Sequence, residues 1–288
     1  MRLYSTDQGI AREDEPGELA FLDLPFPDLG ELLRSEGDLE SVRTAPATGR
    51  KALADVAVRA PVARPGKVIV VGLNFASHAD ETREALKAMG RELKLPTTAP
   101  FHLAAGSSVI GPGQPIVLPA AAPEQVDYEG EVAAVIGTRA TDVAPANAWR
   151  HLAGLTVVND VSARDIQMRS MGGADPAASV GLSKSLDTFK PLGPCLVTAD
   201  EFSEPLDLGI RTRVNGDLRQ DDRTTGFLHP VSELVSRVSH WMTLEPGDVL
   251  CLGSPRGAGA FSGQFLAPGD TVEITVERIG SLRNTVQG

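Results

Sequence analysis

A chain of 288 residues has room for one large domain, or for a large domain and a small one. Its formal net charge of -11 argues against a nucleic-acid backbone as ligand, which requires a basic footprint. With 42% hydrophobic residues, 29 glycines and 21 prolines, a sizeable core with many turns between strands is expected, and an all-helical fold is not.

The first residues, Met1 to Pro16, carry acids and no apolar run, so no signal peptide is read there. No stretch is apolar for long enough to span a bilayer, and a soluble cytoplasmic protein is the expectation. Cys195 and Cys251 lie far apart without metal-ligand spacing and read as buried small hydrophobes.

In chain order, short strands are expected at 1–4 and 19–22, and a helix at 29–35. A polar, Ala-rich stretch follows, then Val56, Val58 and the prolines Pro61 and Pro65. Residues 1–62 are read as a small N-terminal α+β domain, and residues 63–288 as the main domain. That domain opens on Lys67-Val68-Ile69-Val70-Val71, a strand by its β-branched run. After a turn, Ser77-His78-Ala79-Asp80 resembles a helix start with a capping box, and Leu86, Met89 and Leu93 recur at helical spacing. His78 and Glu81 then share a helix face. A carboxylate on one imidazole nitrogen raises the basicity of the other, which is a general-base arrangement. Solvation on a surface helix is the commoner role of such a pair.

Beyond Pro96 the chain turns β-rich. Strands are expected at 108–110, 116–118, 129–136, 155–159, 195–197, 208–214, 249–252 and 271–278. A short helix is expected at 145–152, and a longer one at 228–241 with Val231, Leu234, Val235 and Val238 on one face. The Pro-Gly pairs Pro246-Gly247 and Pro268-Gly269 favour type II turns. The Gly- and Ala-rich stretch 168–180 reads as mobile.

Four further segments carry chemistry. In Asp127-Tyr128-Glu129-Gly130-Glu131-Val132, two acids two apart on a strand present their carboxylates to one side, ~7 Å apart along the backbone. Buried acids are costly unless compensated, and a divalent cation compensates them; a solvated strand end is the alternative. Asp160 ends an apolar strand, Leu155 to Asn159, where it is either a third oxygen ligand or a turn Asp, and Arg164 and Gln167 follow at helical spacing. Lys184 is able to meet a substrate carboxylate or a developing enolate, although a surface lysine is the ordinary reading. Gly253-Ser254-Pro255-Arg256-Gly257 lacks the Gly-Lys-Ser/Thr of a P-loop, yet its backbone N–H groups suit a carboxylate.

Taken in order, these motifs resemble the fumarylacetoacetate hydrolase family: Gly-Leu-Asn-Phe-Ala-Ser-His-Ala-Asp-Glu, Asp-Tyr-Glu-Gly-Glu-Val, Asn-Asp-Val-Ser-Ala-Arg-Asp-Ile-Gln, Ser-Lys-Ser-Leu-Asp-Thr-Phe, and Pro-Gly-Asp-Val-Leu before Gly-Ser-Pro-Arg-Gly. The resemblance implies a mainly β, roll-like catalytic domain with α elements beside the small N-terminal domain, and a homodimer. It implies Mg²⁺, with Mn²⁺ or Ca²⁺ as alternatives, on Glu129, Glu131 and Asp160. His78, Glu81 and Lys184 take catalytic places in it, and Arg164, Gln167 and Ser254 substrate-binding ones. The implied activity is C–C bond hydrolysis of a small diketo acid, acylpyruvate or fumarylacetoacetate-like, by way of an enolate. Decarboxylation or tautomerisation of 2-oxo dicarboxylic acids is the alternative, and a non-catalytic ligand-binding paralogue a third reading. One departure stands out: where members commonly carry Phe-x-Lys, this chain has Ala104 at the lysine position with His102 nearby.

Overall fold

The computed structural model describes residues 1–171, 173–175 and 177–288. The expectation for 168–180 falls partly on Gly172 and Pro176, which lie outside the described residues; the helix Arg164–Met171 runs into its start. Among the described residues no helix is long and apolar enough to cross a membrane.

One long sheet organises the molecule. Its strands follow the order Ala47–Ala52, Glu18–Leu22, Gly9–Glu15, Arg2–Thr6, Lys190–Thr198, Leu152–Asn159, Gly130–Ile136, Val249–Cys251, Val68–Val71 and Phe101–Ala104. The N-terminal strands thus extend the sheet of the main body, with Leu3 opposite Leu196. After Ala104 the chain forms Val109–Ile110, which pairs in parallel with Lys190–Pro191 near the middle of the same sheet. The sheet therefore curls, and one of its faces is enclosed.

Period-two alternation sorts the side chains between the two faces. Val68, Val70, Ala104, Ala133, Val135, Val158, Leu192, Val249 and Cys251 pack together on the enclosed face. The helix Leu29–Glu36 adds Leu29, Leu32 and Leu33 to that cluster. It begins on the Asp28 side chain, which accepts from the Glu31 N–H, and ends on left-handed Gly37. The opposite face, with Ile69, Val71, Val132, Ala134, Val157 and Leu250, packs on a second sheet contributing Ile210, Val272, Ile274 and Leu282. That sheet runs Asp217–Arg223, Gly209–Val214, Thr271–Val276, Gly280–Gln287 and Ile116–Val117.

Several elements differ from the sequence expectation for physical reasons. The helix Ala76–Ala88 starts on Phe75, whose side chain has no oxygen to cap it, and Ser77, already inside the first turn, donates to Asp222 at 2.5 Å. It stops at Ala88, leaving Met89 71% exposed rather than on a buried stripe. The helix expected at 228–241 spans Val231–Trp241, since Pro230 occupies its N-cap, and Val231, Leu234, Val235 and Val238 are buried. Gly247 (φ 85) and Gly269 (φ 94) supply the positive φ that a type II turn needs after proline. The strand Ala47–Ala52 is exposed throughout, so no apolar alternation marks it.

Candidate active site

The acids sit where two antiparallel strands meet at one end of the enclosed face. Gly130 opens its strand against Asn159, the last residue of its neighbour, so Glu129 and Asp160 lie side by side. The Asp160 N–H donates to the Glu129 carbonyl at 2.8 Å. A Cβ at Gly130 would meet Thr212 Oγ1 at 2.2 Å, so this position faces the second sheet and Glu131 points the other way, with Ala133 and Val135. Glu129, Glu131 and Asp160 are 5%, 2% and 0% exposed, and each offers a carboxylate oxygen within 4.8 Å of the others.

Buried cations partly compensate them. Lys184 Nζ donates to Glu129 Oε2 at 2.5 Å, to Asp160 Oδ2, and to Ser162 Oγ at 2.9 Å. Arg164 bonds through all three of its nitrogens: Nε to Asp127 at 2.8 Å, Nη2 to Glu129 Oε1 at 2.8 Å, and Nη1 to Gln167 Oε1 at 2.7 Å. Lys190 Nζ lies 2.8 Å from Asp160 Oδ1. That contact is an ion pair by distance but lacks hydrogen-bond direction, and Lys190 donates to the carbonyls of Lys184 and Phe189. Asp160 Oδ1 therefore stays buried without a hydrogen-bond donor.

The electrostatics separate the two glutamates. Burial would raise the pKa of Glu129, but Arg164 and Lys184 outweigh it and hold the carboxyl well below its ordinary range. Glu131 goes the other way: burial, then the charges of Asp160 and Glu129, push it well above the ordinary value, against the smaller pull of Lys184 and the Gly253 N–H. Among the described residues Glu131 has no ion pair, and Asp160 Oδ1 has the Lys190 charge beside it but no hydrogen-bond donor; an added divalent ion would serve both. The all-oxygen donor set fits a hard cation such as Mg²⁺, and Mn²⁺ as well.

The Gly-rich loop after Val249–Cys251 ties this centre to a second pair of groups. Its N–H groups bind the protein's own carboxylates: Gly253 to Glu131 at 2.7 Å, Gly257 to both oxygens of Glu81 at 3.1 Å, and Gly259 and Ala260 to Asp127 at 2.7 and 2.9 Å. The expectation of a free carboxylate-binding turn is met in chemistry, with internal partners. Tyr128 Oη donates to the Gly257 carbonyl at 3.1 Å. Glu81 also faces His78 Nδ1 at 3.4 Å, and Phe261 sets its ring edge-on to His78 with centroids 5.5 Å apart. A proton on His78 would favour the carboxylate form of Glu129.

All nine sequence-derived candidates thus gather around one centre. Arg164 faces Glu129 and Asp127, Gln167 accepts from Arg164, and the Ser254 hydroxyl accepts from Gln220 Nε2 at 2.8 Å. Three residues went unrecognised. Asp127 anchors both Arg164 and the loop, and its adjacency to Tyr128-Glu129 was the available signal. Lys190 is a charged residue opening an otherwise apolar strand. Gln220, which accepts from the Gly130 N–H at 3.0 Å, sits in a run of charged residues that gives no sign of its burial.

The family described as fumarylacetoacetate (FAA) hydrolase C-terminal matches residues 67–287. The oxaloacetate tautomerase FAHD2B of Bos taurus is 39% identical over 259 residues, 88% of this chain and 78% of that protein. The solved structure of fumarylacetoacetate hydrolase from Exiguobacterium antarcticum is 34% identical, covers 100% of this chain and 99% of its own, and superposes with a TM-score of 0.80. Maleylpyruvate hydrolase from Sphingobium sp. SYK-6, solved in complex with manganese(II) ion and pyruvate, is 26% identical, covers 100% and 99%, and has a TM-score of 0.76.

Proposed function

Because this chain belongs to the fumarylacetoacetate hydrolase family of enzymes, we propose that it moves 2-oxo dicarboxylic acids of the oxaloacetate kind between enol and keto forms with the help of a divalent cation. The observation that carries this reading is one loop, 253–261, that bonds Glu131 of the buried carboxylate triad through Gly253 and Glu81 of the histidine–glutamate pair through Gly257, with Phe261 against His78. The choice of tautomerisation is supported by the bovine relative, itself an oxaloacetate tautomerase.

Glu129, Glu131 and Asp160 would hold Mg²⁺ or Mn²⁺, which supplies Lewis acidity toward a 2-oxo acid head. Lys184, 5% exposed, keeps a positive charge where the substrate's oxygen becomes negative. Glu81 occupies Nδ1 of His78 and leaves Nε2 for proton transfer; in ketonisation the enol oxygen loses its proton to solvent while His78 gives one to C3, and in the reverse His78 takes the C3 proton as the oxygen is reprotonated. Arg164, held by Asp127 and Gln167, fixes Glu129 and is a positioning residue. Within the same reading, residues 1–62 form the small accessory domain and 63–288 the catalytic one, a division supported by the start of the family match at Lys67.

C–C hydrolysis of an acylpyruvate is the second reading, favoured by the same His78–Glu81 pair, which is equally suited to deprotonating water. The decay of enol-oxaloacetate absorbance separates the two. Mg²⁺-loaded protein is expected to accelerate that decay, EDTA to abolish the acceleration, and His78→Asn to reduce it ~10²-fold or more. Cleavage of acetylpyruvate by a protein that leaves enol-oxaloacetate untouched would overturn the first reading in favour of the second.

A further inference from the structure

His102 lies on the strand Phe101–Ala104, opposite Val70, which continues a row of paired residues through Cys251 to Ala133. Paired residues share a face, so His102 and Ala104 look into the same enclosed space as Glu131, which is two residues from Ala133. The strand abuts the segment carrying Lys184: Ser185 Oγ accepts from the Ala105 N–H at 3.1 Å, and a Cβ on Gly181 would meet the Leu103 carbonyl at 2.6 Å. Burial lowers the imidazole's pKa, Lys184 lowers it further, and Asp160 opposes them, while no hydrogen bond contributes.

A gradient of burial gives this site a direction. The three acids and Lys184 form a floor at most 5% exposed, whereas His102 is only half-buried beside exposed Leu103. A 2-oxo acid whose head reaches the floor leaves its other end toward the mouth, on the flank where His102 stands. Ala104, the other inward residue of that strand, has no polar group to offer. Resting on the reading of the site as one for 2-oxo dicarboxylic acids, we infer that His102 is a specificity-determining residue that donates a hydrogen bond to the substrate's distal carboxylate.

The test compares two ligands on Mn²⁺-loaded protein by titration calorimetry. Oxalate supplies the chelating head alone; 3,3-difluorooxaloacetate adds a distal carboxylate and cannot enolise. His102→Ala is expected to weaken difluorooxaloacetate about 10-fold or more, the loss typical of a hydrogen bond to a charged group. Oxalate affinity and Mn²⁺ affinity are expected to stay within about twofold, and His102→Gln, which retains a donor, to recover most of the loss. Equal weakening of both ligands, or of neither, overturns the inference. A wild-type protein that binds difluorooxaloacetate more tightly than oxalate yet leaves enol-oxaloacetate untouched removes the tautomerase reading while leaving the role of His102 standing.

Discussion

Glu131→Gln is expected to abolish tight divalent-cation binding while leaving the fold in place. Glu131 is the acid of the triad with no cation beside it, and burial together with Asp160 and Glu129 raises its pKa well above the 4.5 of an ordinary glutamate. Burial and those neighbours therefore favour the neutral form more than in an ordinary glutamate, and glutamine copies that form in shape and charge. Above pH 4.5 the folded state holds this proton more tightly than the unfolded chain does, so its contribution to stability falls as pH rises toward the folded pKa. A bound cation replaces the proton, so the rise in Tm that Mg²⁺ gives the wild type should grow with pH. In the variant that rise should vanish at every pH, and the cation-free variant should melt no lower than the cation-free wild type. Calorimetry should show cation affinity down by more than ~100-fold, beyond the usual effect of an outer-shell change. Turnover should fall by at least ~10². Unchanged affinity would remove Glu131 from the cation site.

Lys184→Met is expected to be the costliest single change to the cation-free protein. Its ammonium joins Glu129, Asp160 and Ser162 in a space closed to water, and burial alone would lower its pKa were it not for the two acids that raise it. Removing one partner of such a buried group leaves uncompensated charge and costs about 3–5 kcal/mol. At ~2–4 °C per kcal/mol for a large domain, Tm should drop by roughly 6–20 °C. Saturating Mg²⁺ should return a larger share of stability to this variant than it adds to the wild type, since the cation neutralises the same acids. Activity should remain low in the rescued protein, because the charge opposite the developing oxyanion is gone. A variant with wild-type Tm in EDTA would show that Lys184 does not carry this compensation.

Much of this site was legible in the sequence because its signals are local. The two-residue spacing of Glu129 and Glu131, just before and just inside an apolar strand, and the three-residue spacing of His78 and Glu81 on a helix, each bring two groups together without knowledge of the rest of the chain. Helical periodicity likewise identified the buried stripe of Val231–Trp241. What escaped depends on long-range pairing. Lys190 meets Asp160 because two strands distant in sequence lie side by side, and Gln220 is buried because its strand presses on Gly130. The strand Asp217–Arg223 is nearly all polar, so sheet pairing rather than apolar alternation defines it. Arg164 and Gln167 are read from the sequence as substrate-binding; their contacts in the structure are Arg164 on Glu129 and Gln167 on Arg164.

The most direct test of the account is deuterium incorporation at C3 of oxaloacetate in D₂O, followed by proton NMR with Mg²⁺-loaded protein. Exchange well above the buffer rate, lost in EDTA and in His78→Asn, is the predicted result, since both the triad and the dyad are needed to form and quench the enol. Exchange at the buffer rate with a fully cation-loaded protein would contradict it.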